Sequence, residues 1–112
     1  MIDVAVRSGA ALRTTRAKLD SGADLCGLPS ELITIAGFVP ERTVRAAGFL
    51  GDLAEVPVYR FDVEIDGRWV EAVEGIATRR SYVILGRNVL RRFVLRLDGP
   101  RAVLTLVRGA QT

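Results

Sequence analysis

Asp20-Ser21-Gly22-Ala23 places a carboxylate, a hydroxyl, a bare backbone and a methyl group in four consecutive residues, at the end of the approach Ala17-Lys18-Leu19. A carboxylate that activates water needs a second one beside it. Two carboxyls roughly 3 Å apart cannot both ionise, so the pair holds one proton and titrates as a unit. One member then accepts a proton from the attacking water while the other donates one to a carbonyl oxygen. The chain carries a single motif of this kind, so such a pair requires a second copy of the chain. The neighbouring residues suit that geometry. Gly22 lets the backbone approach closely and offers its amide to a carboxylate, and the Ser21 hydroxyl can bond the neighbouring copy's backbone. Ala23 gives the carboxylate no hydroxyl donor, which favours activity nearer neutral pH than a Ser or Thr there would. The same four residues also suit a plain hairpin cap, because Asp, Ser and Gly are turn formers.

A second element follows downstream, Val83-Ile84-Leu85-Gly86-Arg87-Asn88. The rest of the composition removes other chemistries. With no histidine, every Ser-His, Cys-His and His-metal arrangement is excluded, and no metal or cofactor is expected. Cys26 is the only cysteine, so no intrachain disulfide forms, and without a partner base it reads as a small buried hydrophobe. The net charge of +3 is too small to argue for nucleic acid, and the arginines Arg79-Arg80, Arg87 and Arg91-Arg92 lack the repeated aromatic interleaving of single-strand binders. A small barrel binding nucleic acid through these arginines ranks well below the other readings. The opening Met1-Ile2-Asp3-Val4 lacks a signal-peptide pattern, and no apolar run reaches membrane-spanning length. A soluble, cytoplasmic chain with no membrane partner is expected, either entire or cut from something larger.

The elements that must position these residues read as strands. At 112 residues and 49% hydrophobic, the chain fits a single domain, 1–112, with a modest core. Ile2 to Arg7 and Ala11 to Leu19 form a hairpin around Ser8-Gly9 that delivers Asp20 at its end. Leu25 to Leu28 is a short strand, followed by a short helix from Pro29-Ser30-Glu31 with a stop at Gly37. Thr43 to Gly48 and Ala54 to Ile65 flank the tip Gly48-Phe49-Leu50-Gly51. Asp66-Gly67 signals a two-residue turn, and Trp69 to Ala77 returns. Tyr82 to Leu85 enters Gly86, Arg87 to Arg92 suits a turn or two of helix, and Phe93 to Leu97 with Ala102 to Val107 closes as a hairpin. Ile84 and Leu85 are both expected in the core, where Tyr59 and Trp69 also pack. The pattern is an all-β, closed or nearly closed barrel with one or two short helices.

In order and motif the chain resembles the retropepsins, the retroviral-type aspartic proteases, and their bacterial relatives. The resemblance covers nearly the whole sequence and is most specific at Ile84-Leu85-Gly86-Arg87-Asn88-Val89-Leu90. It implies a homodimeric aspartic endopeptidase acting on peptide or protein substrates. Asp20 would be catalytic, Ser21 the interlocking hydroxyl, and Gly22 a contact for substrate backbone. With Ala23, Asp24 and Arg87 would support the loop, the last two as an ion pair, and Ile84-Leu85-Gly86 would be its scaffold. Gly48, Phe49, Leu50 and Gly51 would be the tip of a flap over bound peptide, although the two glycines also fit an ordinary hairpin bend and Arg87 an ordinary surface arginine. A non-hydrolytic peptide-binding or dimerisation module on the same fold is the alternative. Viral members carry an extended segment before the first hairpin. Here the hairpin starts almost at Met1 and a further strand pair follows Phe93, so the C-terminal hairpin is expected to replace that segment in the dimer sheet.

Overall fold

Alternation sets the strands, and their long-range pairing closes them into a barrel. A computed structural model describes residues 1–47, 53–98 and 103–108. The elements in order are β1 (Ile2–Ser8), β2 (Ala11–Leu19), β3 (Cys26–Pro29), α1 (Ser30–Ala36), β4 (Pro40–Ala47), β5 (Leu53–Ile65), β6 (Arg68–Thr78), β7 (Val83–Leu85), α2 (Arg87–Leu90), β8 (Phe93–Asp98) and β9 (Val103–Arg108). Neighbouring strands run β1-β2-β7-β3-β6-β5, and β5 pairs back onto β1 to close the barrel. β4 adds to the same edge of β5 beyond β1, through Val44↔Val56 and Ala47↔Leu53. β8 and β9 form a separate two-stranded sheet. The expected tip Gly48-Phe49-Leu50-Gly51 lies outside the described residues. No helix among the described residues is long and apolar enough to cross a membrane.

Local chemistry explains the boundaries. Asp66 and Gly67 take φ of 52° and 77°, the left-handed pair that a two-residue hairpin between twisted strands requires. α1 ends where Gly37 turns left-handed, and Phe38 donates its amide to the Ile33 carbonyl. The second helix is shorter than the sequence allowed, one turn over Arg87–Leu90.

Val6, Ala17, Leu28, Val63, Val83 and Leu85 are fully buried in one cluster that fills the barrel. Cys26 belongs to it, as expected of a small hydrophobe. Ile84 does not, which corrects the expectation for that residue. It lies between the buried Val83 and Leu85, so the period of two along a strand turns it outward, and it is half-buried. Tyr59 packs against the core, whereas Trp69 lies under the Arg7 guanidinium, 4.0 Å from ring centroid to charge.

Strand order decides where Asp20 sits. β7 lies between β2 and β3, parallel to the first and antiparallel to the second. The chain leaving β2 must therefore cross the end of β7 before it can enter β3. Asp20-Ser21-Gly22-Ala23-Asp24 is that crossing, and Leu85-Gly86-Arg87 lies beneath it.

Candidate active site

The crossing is held to the β7–α2 junction by main-chain bonds. Asp20 donates its amide to the Leu85 carbonyl at 3.0 Å, and Arg87 donates its amide to the Ala23 carbonyl at 2.7 Å. Within the loop, Ala23 donates to the Asp20 carbonyl at 3.2 Å. The Arg87 guanidinium pairs with the Asp24 carboxylate. Gly86 is where the two segments touch. A Cβ there would stand 2.5 Å from the Leu25 carbonyl oxygen and 2.8 Å from that of Ala23, so no side chain fits.

This frame leaves the Asp20 side chain exposed. Its Oδ1 accepts the Gly22 amide at 2.9 Å, which fixes the carboxylate against its own loop. The same oxygen would lie 3.1 Å from a Cβ on Gly22. Ser21 is exposed, and its hydroxyl has no hydrogen-bond partner among the described residues. An open cavity of about 750 Å³ adjoins the loop, lined among others by Ser21, Asp24, Arg87, Leu90 and Phe93. Among the described residues no three His, Cys, Asp or Glu side chains gather to ligate a metal.

No protein-family model matches the sequence, and no curated protein matches it. Solved structures do. A retropepsin-like aspartic protease from Rickettsia conorii superposes with a TM-score of 0.61 at 21% identity, covering 94% of this chain and 79% of that one. The retroviral protease-like domain of Ddi1 from Leishmania major gives 0.58 at 19% identity, covering 95% and 87%. The EIAV protease, complexed with the inhibitor HBY-793, gives 0.52 at 20%, covering 80% and 83%.

This chain has the retropepsin-like fold.

Within that fold, the expected loop residues Asp20, Ser21, Gly22, Ala23, Asp24 and Arg87 stand together, with Leu85 and Gly86 directly beneath. Ile84 is on the outer face beside them. One residue of the motif, Asn88, has a role that its position in the sequence does not reveal. Asn88 donates from Nδ2 to the Glu74 carbonyl at 2.8 Å and accepts the Cys26 thiol on Oδ1 at 3.4 Å. It ties α2 to β6 and β3, and the sequence marks it only by its place beside Arg87. Burial pushes the Cys26 thiol up to about 11, an effect partly offset by the Gly86 backbone. That thiol stays protonated and is a donor, not a nucleophile. Glu74 accepts Arg42 through both carboxylate oxygens, at 2.8 and 3.0 Å, and this hydrogen bonding holds its carboxyl below the usual range.

Proposed function

We propose that the chain is an aspartic endopeptidase whose active site forms when two copies bring their Asp20 side chains together. The observation that carries this reading is the anchoring of the Asp20 loop on Leu85, Gly86 and Arg87, which presents an exposed carboxylate bonded, among the described residues, only by Gly22. A rigid support for a lone, outward carboxylate has little use in a monomer. Across a twofold axis it supplies the second group of an acid–base pair.

In the pair, one proton is shared between the two Asp20 carboxyls. The ionised member takes a proton from a water held between them, and the water oxygen attacks the peptide carbonyl carbon. The protonated member gives its proton to the carbonyl oxygen, forming a neutral tetrahedral diol. Collapse of the diol returns a proton to the departing nitrogen and breaks the C–N bond. The substrate lies extended, adding strand-like hydrogen bonds to the loop and to the β4–β5 hairpin, which serves as a flap. Ser21, free within its own chain among the described residues, interlocks the two loops. The β8–β9 hairpin, which pairs with no barrel strand among the described residues, gives the shared sheet.

The test is cleavage of a mixed peptide library across pH 4 to 8 by wild type and by Asp20→Asn, both checked for dimer mass. Cleavage that vanishes in Asp20→Asn is expected. A dimeric wild type that cuts nothing would replace this reading with a peptide-binding or dimerisation module.

A further inference from the structure

The chain has one lysine among its 16 basic side chains, and it stands two residues before Asp20. Strand pairing sets Lys18 opposite Ile84, one rung before Leu19 and Leu85, in the parallel β2–β7 pair. Ala17, Val83 and Leu85 are fully buried, so alternation turns Lys18 and Ile84 to the outside. Lys18 is exposed and Ile84 half-buried, as that requires. Ile84 also pairs with Gly27 of β3, and a Cβ on Gly27 would lie 3.2 Å from the Ile84 Cβ and 3.3 Å from its Cδ1. Lys18, Ile84 and Gly27 thus form one row across β2, β7 and β3. The row lies at the strand end from which Asp20 emerges, whose amide is bonded to Leu85 on the next rung.

Two residues along a strand span roughly 7 Å, which is also the spacing of same-face side chains in an extended peptide. A peptide lying over Asp20 therefore brings a side chain one or two positions from the scissile bond onto this row. Ile84 offers it an apolar floor and Lys18 a charge. Lys18 has no ion pair among the described residues, whereas Arg16, the preceding residue on that face, is drawn to Asp3 at 3.9 Å.

Resting on the Asp20 reading above, we infer that Lys18 is a specificity-determining residue that selects acidic substrate side chains, glutamate above all, beside the scissile bond. The methylene stem of a glutamate lies on Ile84 and its carboxylate meets the ammonium. Twofold symmetry supplies the same row on both sides of the bond, so the preference holds on both sides. Arginine would serve less well. A compact ammonium on a flexible stem fits beside the Asp20 pair without the rigid fork that would bridge to it.

The experiment uses the Asp20→Asn protein at a concentration where it is dimeric, so that peptide is bound and not consumed. Binding of a fluorescent extended peptide with Glu at the flanking positions is compared by anisotropy with its Gln counterpart. The Glu peptide is expected to bind about tenfold tighter, the scale of a hydrogen bond to a charged group. Adding Lys18→Leu removes the difference, and adding Lys18→Glu reverses it in favour of a Lys peptide. Equal binding of the Glu and Gln peptides, a difference that survives Lys18→Leu, or no binding of either overturns the inference. Wild-type cleavage separates the two readings. Cleavage without acidic preference sinks this inference alone, and acid-selective binding without cleavage sinks only the protease reading.

Discussion

The Arg87 guanidinium pairs with the Asp24 carboxylate across 63 residues of chain, while the Arg87 amide holds the Ala23 carbonyl. One residue therefore grips the Asp20 loop twice, once by main chain and once by side chain. Both side chains of the ion pair are largely exposed, 58% and 80%, so it contributes at most about 1 kcal/mol to stability. Arg87→Ala is expected to lower Tm by only a few degrees, about 5 °C at most. Peptide cleavage should fall at least about tenfold, because the loop that aims Asp20 loses its lateral hold. Thermal unfolding read beside kcat/KM checks the split, and a proportionate loss in both would contradict it.

Gly86 tolerates no side chain for a steric reason, since its own φ of −84° suits any residue. Gly86→Ala drives a Cβ into the Leu25 and Ala23 carbonyls, both backbone atoms that cannot swing aside. A cost of about 3 kcal/mol is expected, at the upper end for overpacking. Urea unfolding of the variant measures it.

The β5–β6 pairing shifts register between Phe61 and Val63, where Glu71 and Ala72 together oppose Asp62 and Ala72 takes a φ of 55°. Asp62 Oδ1 accepts the Ala72 amide at 2.9 Å, and Asp62 Oδ2 accepts Arg7 at 2.9 and 3.1 Å. An alanine in the left-handed region costs roughly 1 kcal/mol, part of which glycine recovers. Ala72→Gly should therefore raise the urea midpoint slightly. Asp62→Ala should lower stability by about 2 kcal/mol, and the midpoint with it, because the bulge amide and Arg7 both lose their acceptor.

Cys26 links stability to alkali. Its thiol lies at about 11 in the folded chain against an ordinary 9.0. Below pH 9 it is protonated in both states, so nothing is lost. As pH rises from 9 towards 11 the unfolded chain ionises first, and stability falls by up to about 3 kcal/mol. Urea unfolding at pH 8 and pH 10.5 should show a smaller drop for Cys26→Ala than for wild type. Equal drops would overturn the assignment.

The β8–β9 hairpin begins at Phe93, on the wall of the cavity beside Ser21 and Arg87. Removing residues 100–112 deletes its second strand and should leave a chain of monomer mass in solution that cleaves no peptide. A truncated chain that keeps dimer mass would sink the proposed interface. In the intact chain, specific activity should fall steeply on dilution.

Much of this was legible in the sequence because it is local. The strand-making alternation of Ile2 to Leu19 and Val58 to Ile65, the Asp66-Gly67 turn and the Gly37 stop all follow from neighbours along the chain. So does the presence of a carboxylate, a hydroxyl and a glycine at Asp20-Ser21-Gly22. The Asp24–Arg87 pairing came from resemblance, since nothing in a separation of 63 residues announces contact.

Tertiary structure decided what strand order decides. Only the insertion of β7 between β2 and β3 puts Leu85 and Gly86 under the Asp20 loop, and makes a side chain at Gly86 impossible. Only register turns Ile84 outward beside Lys18, reversing its expected place in the core. Asn88 finds Cys26 and Glu74, and Asp62 finds Ala72, through hydrogen bonds between segments far apart in the chain. Propensity and pattern are properties of a few consecutive residues. Which strand lies beside which depends on the packing of the whole barrel, and the candidate site is built at such a junction.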